Sequence, residues 1–422
     1  MIRSIEIKNL RALRYVDLEL RPFQIVVGPN GSGKSTFLDA INMVRDILNV
    51  GVDRTLQGDR ISGVPIRAID PRDISWMRSG EDVEIALTSD VPEDVQKGYR
   101  FCRYEIALST TGEPRLRTEN FWLCRDLPRP SKRYGKQVEL FPAAPSPPES
   151  VVRAAGRKSP PGWRKVVSKI AESGNDYFKS EVSDWNNLFR LGPAKSTLAN
   201  LPEDEEKFPT ATWFKRFLME GVQRLALNAE KIRLACPPGT PATLMTDGSN
   251  LPRIVHLLET RAPDVLREWT EHLRTALPGL ASVRTVERPE DRFRYLVLRY
   301  DNGLEAPSWV VSDGTLRILA LTLLAYAPVA PGLLLIEEPE NGIHPQAVET
   351  VFQSLSDMRE SQVFCATHSP VMLSLSTLDQ LLCFGTTPDG AVDVVPGDKH
   401  PMLRDWQGAV VLGDLFATGV LS

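Results

Sequence analysis

The sequence predicts an α/β fold, a mixed β-sheet flanked by helices and interrupted by an inserted, mainly helical subdomain. Three observations carry that prediction. A short apolar run, Phe23 to Val27, leads straight into a glycine loop and then into a helical pattern from Ser35 to Val50. Two more apolar runs, Leu333 to Ile336 and Val363 to Ala366, read as buried strands in the last third of the chain. Between them lies a stretch that is first proline-rich and basic, then helical in its short-range pattern.

Taken in order, Ile2 to Ile7 alternates apolar and polar residues as a half-buried strand does, and Val16 to Leu20 alternates again as its pair. Phe37, Ile41, Val44, Ile47 and Leu48 space the first helix. Alternation returns at Val83 to Leu87 and at Tyr104 to Leu108. Leu127 to Pro161 reads as a linker or exposed loop, and short helical patterns run from Trp163 to Ala229, including Trp213 to Leu227. Helices are expected over Leu251 to Arg261 and over Pro263 to Leu277, with Pro263 suited to a first turn. Strands follow near Ser282 to Glu287 and Tyr295 to Tyr300, then an apolar helix from Leu316 to Ala327. This divides the chain into a discontinuous head, residues 1–125 and 225–422, and an insertion, residues 126–224.

Bulk properties narrow the function class. At 422 residues, 42% hydrophobic and 25% charged, the chain suits a globular protein with two or three cores. Its formal charge of −4 argues against a general nucleic-acid coat. The start, Met1 to Lys8, has no apolar core of a signal peptide. The most apolar stretch, Leu316 to Leu335, is broken by Arg317, Pro328, Pro331 and Gly332, so no membrane span is expected. Cys102, Cys124, Cys236, Cys365 and Cys383 are scattered with no C-x-x-C pair, which fits neutral thiols in a cytoplasmic protein.

Chemistry concentrates in four places. Gly28-Pro29-Asn30-Gly31-Ser32-Gly33-Lys34-Ser35-Thr36 carries G-x-x-x-x-G-K-[ST] between a strand and a helix. Its glycines let backbone N–H groups turn toward phosphate, and the helix adds its positive N-terminal end. Lys34 would neutralise the β- and γ-phosphates of ATP and Ser35 would hold Mg²⁺. Glu337 and Glu338 end a buried strand, where adjacent carboxylates need a cation. Glu337 would help hold the metal and Glu338 would polarise the attacking water. His368 ends another strand, where open α/β sheets bind ligands. Ser312-Asp313-Gly314-Thr315 precedes a helix as a second small-residue anion site, a pattern also common in plain N-caps.

In this order the four elements resemble the ABC-type ATPase head of SMC, RecF and OLD-like proteins, and most of all stand-alone bacterial ATPases of the AAA-21 type. The resemblance covers roughly residues 1–125 and 225–400. After the phosphate loop, its most specific segment is Glu337-Glu338-Pro339-Glu340-Asn341-Gly342-Ile343-His344-Pro345. Asn9-Leu10-Arg11 resembles a strand turn whose basic residue lies near the nucleotide base, and Asp247-Gly248-Ser249-Asn250-Leu251 resembles another family segment. The resemblance implies that Ser312 to Thr315 is a signature contacting the γ-phosphate of a partner subunit. It further implies that Asn341-Gly342 is the D-loop region and His368 the switch histidine. The signature has one glycine, Gly314, instead of a pair, and Glu337 stands where aspartate is common. Gln57 and Gln96 are the candidates for a Q-loop glutamine.

A homodimer with nucleotide sandwiched between two heads is therefore expected. The separation of Lys34 from Glu337 disfavours a compact transport ATPase, and the segment after His368 has no glutamate and no D-x-D for a Toprim nuclease. A separate nuclease or effector partner fits better, in DNA maintenance or antiphage defence, with Gly413 to Leu421 either docking it or packing on the head. Arg125 to Lys169 holds eleven Lys/Arg against three acids, either a DNA-binding patch or a solubilising loop. The competing function is a nucleotide-gated scaffold of slow turnover.

Overall fold

The structure, a computed structural model, describes residues 1–128, 141–143, 146–153, 159–170, 175–403 and 412–413. Nine strands open the chain: β1 (Ile2–Leu10), β2 (Leu13–Glu19), β3 (Phe23–Val27), β4 (Val83–Asp90), β5 (Phe101–Ser109), β6 (Arg115–Cys124), β7 (Trp163–Ile170), β8 (Asn175–Lys179) and β9 (Asn186–Phe189). All but β3 form one antiparallel sheet in the order β2-β1-β4-β5-β6-β7-β8-β9. Helices α1 (Lys34–Val50) and α2 (Val52–Gln57) follow β3.

The second half supplies α3 (Pro209–Arg216), β10 (Val222–Leu225), α4 (Ala229–Ile232), α5 (Leu251–Arg261) and α6 (Pro263–Ala276). Then come β11 (Leu280–Glu287), β12 (Arg294–Tyr300), β13 (Glu305–Pro307), α7 (Asp313–Leu323), β14 (Leu333–Glu337), α8 (Pro345–Ser356), β15 (Gln362–Ala366), α9 (Pro370–Leu375), β16 (Leu381–Thr386) and β17 (Val392–Pro396). A six-stranded sheet runs β10-β14-β15-β3-β16-β17, parallel except for β17, and β11-β12-β13 form a small antiparallel sheet.

Alternation along the central strands makes the layers. Val26, Leu333, Leu335, Phe364 and Ala366 face a core shared with α1 and the eight-stranded sheet. Their neighbours Ile25, Val27, Leu334, Ile336, Val363 and Cys365 face a second core under α5 to α9. Helix α1 is thus enclosed between two sheets, and Phe37 on its first turn packs edge-on against Phe384 at 5.6 Å. The parallel strands β3, β14 and β15 end on one edge, which brings three of the sequence motifs together.

Two expectations change. The helical patterns expected from Trp163 onward are strands β7 to β9, which extend the large sheet beyond β6. Charge misleads here because neighbouring strands take it up: Lys165 lies over the Trp122 ring, and Lys169 is buried in a 2.7 Å ion pair with Asp176 of the next strand. The helix expected over Trp213 to Leu227 ends early. α3 gives way to a wide π turn at Phe217–Gly221 and then to β10, and the Phe217 ring occupies the space beside Gly332. A short apolar run cannot by itself separate strand from helix. All five cysteines are free and buried, and burial pushes the Cys383 thiol up to about 12.

Candidate functional site

The phosphate loop lies between β3 and α1. A side chain at Gly28 would put its Cβ 2.3 Å from the Phe384 carbonyl oxygen, so only glycine lets the loop pass β16. Gly33, in the left-handed region at φ 90, is the N-cap of α1, and Lys34 begins the helix. The Lys34 ammonium turns back to donate to the carbonyl oxygens of Gly28 and Pro29, both at 2.8 Å. Burial lowers its pKa to about 8, against the opposing pull of Glu338 and Glu337.

A cavity of about 240 Å³ opens above this loop. Arg11, Asn30, Gly31, Gly33, Lys34, Ser35, Thr36, Glu337, Glu338 and His368 line it. The sequence-predicted loop, both acids, the histidine and Arg11 are therefore brought together. The Ser35 hydroxyl donates to Glu337 at 2.6 Å, joining the first turn of α1 to the end of β14. Glu338 follows at φ 47, a left-handed conformation that costs a non-glycine residue about 1 kcal/mol or more. Its N–H donates to Ala366 and its carbonyl accepts from Asn341, which fix the turn.

Two residues at the site were not anticipated. Glu340 accepts from the Thr367 hydroxyl at 2.5 Å and from the His368 N–H at 3.2 Å, hooking the β15 loop to the β14 loop. Its sequence signal was its place as the third acid of Glu337-Glu338-Pro339-Glu340. Arg224 of β10 donates to Glu337 at 2.7 Å. His368 has its pKa lowered, first by burial and then by Lys34, so its imidazole is neutral at pH 7.

Arg11 is held at φ 48 and donates to Asp39 at 3.2 Å. Asp39 also meets Arg67, whose guanidinium bridges to Asp46 at 2.7 Å. Gln57 is exposed at the end of α2, and the Gln96 amide donates to the Val91 carbonyl; neither lines the cavity.

Ser312 to Thr315 lies outside the cavity. Ser312 caps α7, accepting from the Thr315 N–H, and Arg233 pairs with Asp313. A Cβ on Gly314 would stand 2.7 Å from the Gly342 oxygen, so glycine there lets α7 approach the Asn341-Gly342 turn. Both Ser312 and Asp313 are exposed.

The Asp247 to Leu251 segment anchors the neighbourhood of β10. Asn250 is fully buried, its amide donating to Pro241 and Thr243 while its oxygen accepts from Met245. Asn250→Ala leaves those backbone groups without partners and is expected to destabilise the fold by about 2 kcal/mol in chemical denaturation. A loss below a few tenths would show that the loop closes without it.

Of the basic segment, Arg129, Lys132, Arg133, Lys136, Arg157 and Lys158 lie outside the described residues, as does the tail from Asp414 onward. The described ones are engaged within the fold: Arg164 donates to Ser180, Lys165 sits over Trp122, Arg153 over Trp163, Arg125 over Tyr99, and Lys169 pairs with Asp176. Among the described residues no helix is long and apolar enough to cross a membrane.

Residues 23–374 match the AAA_21 family, described as "AAA domain, putative AbiEii toxin, Type IV TA system". The chain belongs to this family. Over 44 residues, 10% of the chain, it is 48% identical to the OLD nuclease of Thermus scotoductus, a match that spans 8% of that protein. An Smc head solved with the C-winged helix domain of ScpA superposes with a TM-score of 0.52 at 15% identity, covering 93% of this chain and 97% of that one. The SMC head domain from Thermotoga maritima gives 0.41 at 12% identity, covering 94% and 98%. The Smc likeness is one of fold: this member of an AAA-type ATPase family has an ABC-type head.

Proposed function

We propose that the chain binds MgATP above the phosphate loop, hydrolyses it, and closes on a second copy whose Ser312 to Thr315 completes the site. The convergence of Lys34, Ser35, Glu337, Glu338 and His368 on one cavity supports this reading most strongly. Its donor set fits a magnesium–triphosphate: an ammonium hydrogen-bonded to two loop carbonyls, and a hydroxyl already paired with an acid. Ser35 and Glu337 would hold the metal, which when bound supplies charge to the phosphate oxygens. Lys34 leaves its two carbonyls for phosphate. Glu338, on its fixed turn, takes the proton of the attacking water, and neutral His368 donates a hydrogen bond toward the γ-phosphate.

The exposed signature has no part in its own cavity, which favours a role in the site of a second head. A mixing experiment tests this. Lys34→Met and Ser312→Arg variants should each be inactive in phosphate release. In an isologous dimer their mixture forms hybrids with one intact site of two, restoring about a quarter of wild-type turnover. No recovery on mixing would sink the shared site.

The defence setting with a separate effector fits the toxin–antitoxin description of the family, and the shared segment with an OLD nuclease points the same way. A slow-turnover scaffold is the second reading, favoured by the single glycine of the signature and by Glu337 in place of aspartate. Turnover with and without DNA separates the two.

A further inference from the structure

We infer that Arg224 is a positioning residue for the metal site: it fixes the Glu337 carboxylate so that a glutamate can hold magnesium there. The inference rests on the MgATP reading. β10 is the edge strand beside β14, with Arg224 level with Leu335, two residues before Glu337. From there Arg224 Nη2 reaches Glu337 Oε1 at 2.7 Å, while Ser35 Oγ donates to Oε2 at 2.6 Å. The two oxygens are thus held from two different elements, a strand edge and a helix start. The carboxylate cannot swing without breaking one of these bonds.

Stability does not account for the pair. The Arg224 and Glu337 side chains are 33% and 28% exposed, and ion pairs so open to water contribute little to folding. Orientation does account for it. A glutamate has one more rotatable bond than an aspartate, and a carboxylate free to sample rotamers loses conformational entropy when it binds metal. A planar guanidinium donating along a fixed direction removes that freedom in advance, which a lysine would do less well. Groups that orient a metal ligand in this way typically change metal affinity by about 10- to 100-fold when removed.

The test uses the full chain and a fluorescent ATP analogue, titrated first in EDTA and then against graded magnesium. For Arg224→Met, affinity in EDTA should stay within about twofold of wild type, because the phosphate loop is untouched. The magnesium concentration at half-maximal gain in affinity should rise about tenfold. Arg224→Lys should recover part of the shift. In a Glu337→Asp background the carboxylate is one methylene short of Arg224, so adding Arg224→Met should change the midpoint less than twofold. An unchanged midpoint in Arg224→Met, or a full additional shift in the Glu337→Asp background, overturns the inference. A wild-type chain that binds the analogue with no magnesium dependence overturns it too. A wild-type chain that binds no analogue at all takes down the MgATP reading itself, and the inference with it.

Discussion

Lys34→Met should lower nucleotide affinity by about 10² or more while leaving the fold intact. The ammonium is nearly buried yet its hydrogen-bond partners are two carbonyl oxygens of the loop, at Gly28 and Pro29. Exchanging them for phosphate oxygens turns neutral acceptors into charged ones, and a hydrogen bond to a charged group contributes about 1.5–3 kcal/mol. Methionine keeps the unbranched apolar stem and drops the ammonium, so the comparison isolates the charged group. The same residue predicts a pH profile. In the free chain burial lowers the Lys34 pKa to about 8, so the group is cationic below that value and loses its proton above it. A bound triphosphate favours the cation and raises the pKa. Affinity should therefore be flat below pH 8 and fall as pH rises beyond it, where an exposed lysine would hold its charge to above pH 10. Fluorescence titration across pH 7 to 9.5 measures both effects. Binding by Lys34→Met within threefold of wild type would remove Lys34 from the site.

The sequence revealed some of this site and hid the rest for physical reasons. The phosphate loop was legible because its constraint is local: Gly28 must clear β16, Gly33 must turn left-handed, and Lys34 must begin a helix, all within one run. The runs that became β14 and β15 were legible as well, since strands in the middle of a sheet must be apolar on both faces. Arg224 was not legible. Val222-Gln223-Arg224-Leu225 falls inside the helix expected over Trp213 to Leu227, and the meaning of Arg224 comes from a parallel neighbour far along the chain. β7 misled for the same reason. Trp163-Arg164-Lys165-Val166-Val167 reads as basic surface until the Trp122 ring of β6 supplies the contact that takes up Lys165. Short-range pattern reports what a segment needs from its own backbone, and it is silent on which remote side chain meets that need.

Glu338→Gln should reduce phosphate release by about 10²- to 10³-fold without weakening nucleotide binding, because it removes a base and leaves the shape. The geometry makes this a clean substitution. Residue 338 is fixed by its backbone, at φ 47, through the Ala366 and Asn341 hydrogen bonds, and its side chain is exposed. The amide therefore stands where the carboxylate stood. Removing one negative charge beside the phosphates also lowers repulsion, so the nucleotide should dwell longer. If Ser312 to Thr315 of a second copy closes the site, the unhydrolysed nucleotide then holds the two heads together. Light scattering should report a dimer that depends on MgATP. A variant that stays monomeric with saturating MgATP would separate hydrolysis from assembly and leave each head to work alone. A variant that turns over as fast as wild type would mean that Glu338 is not the base. The strained turn that presents it would then need another reason, and the scaffold reading would gain ground.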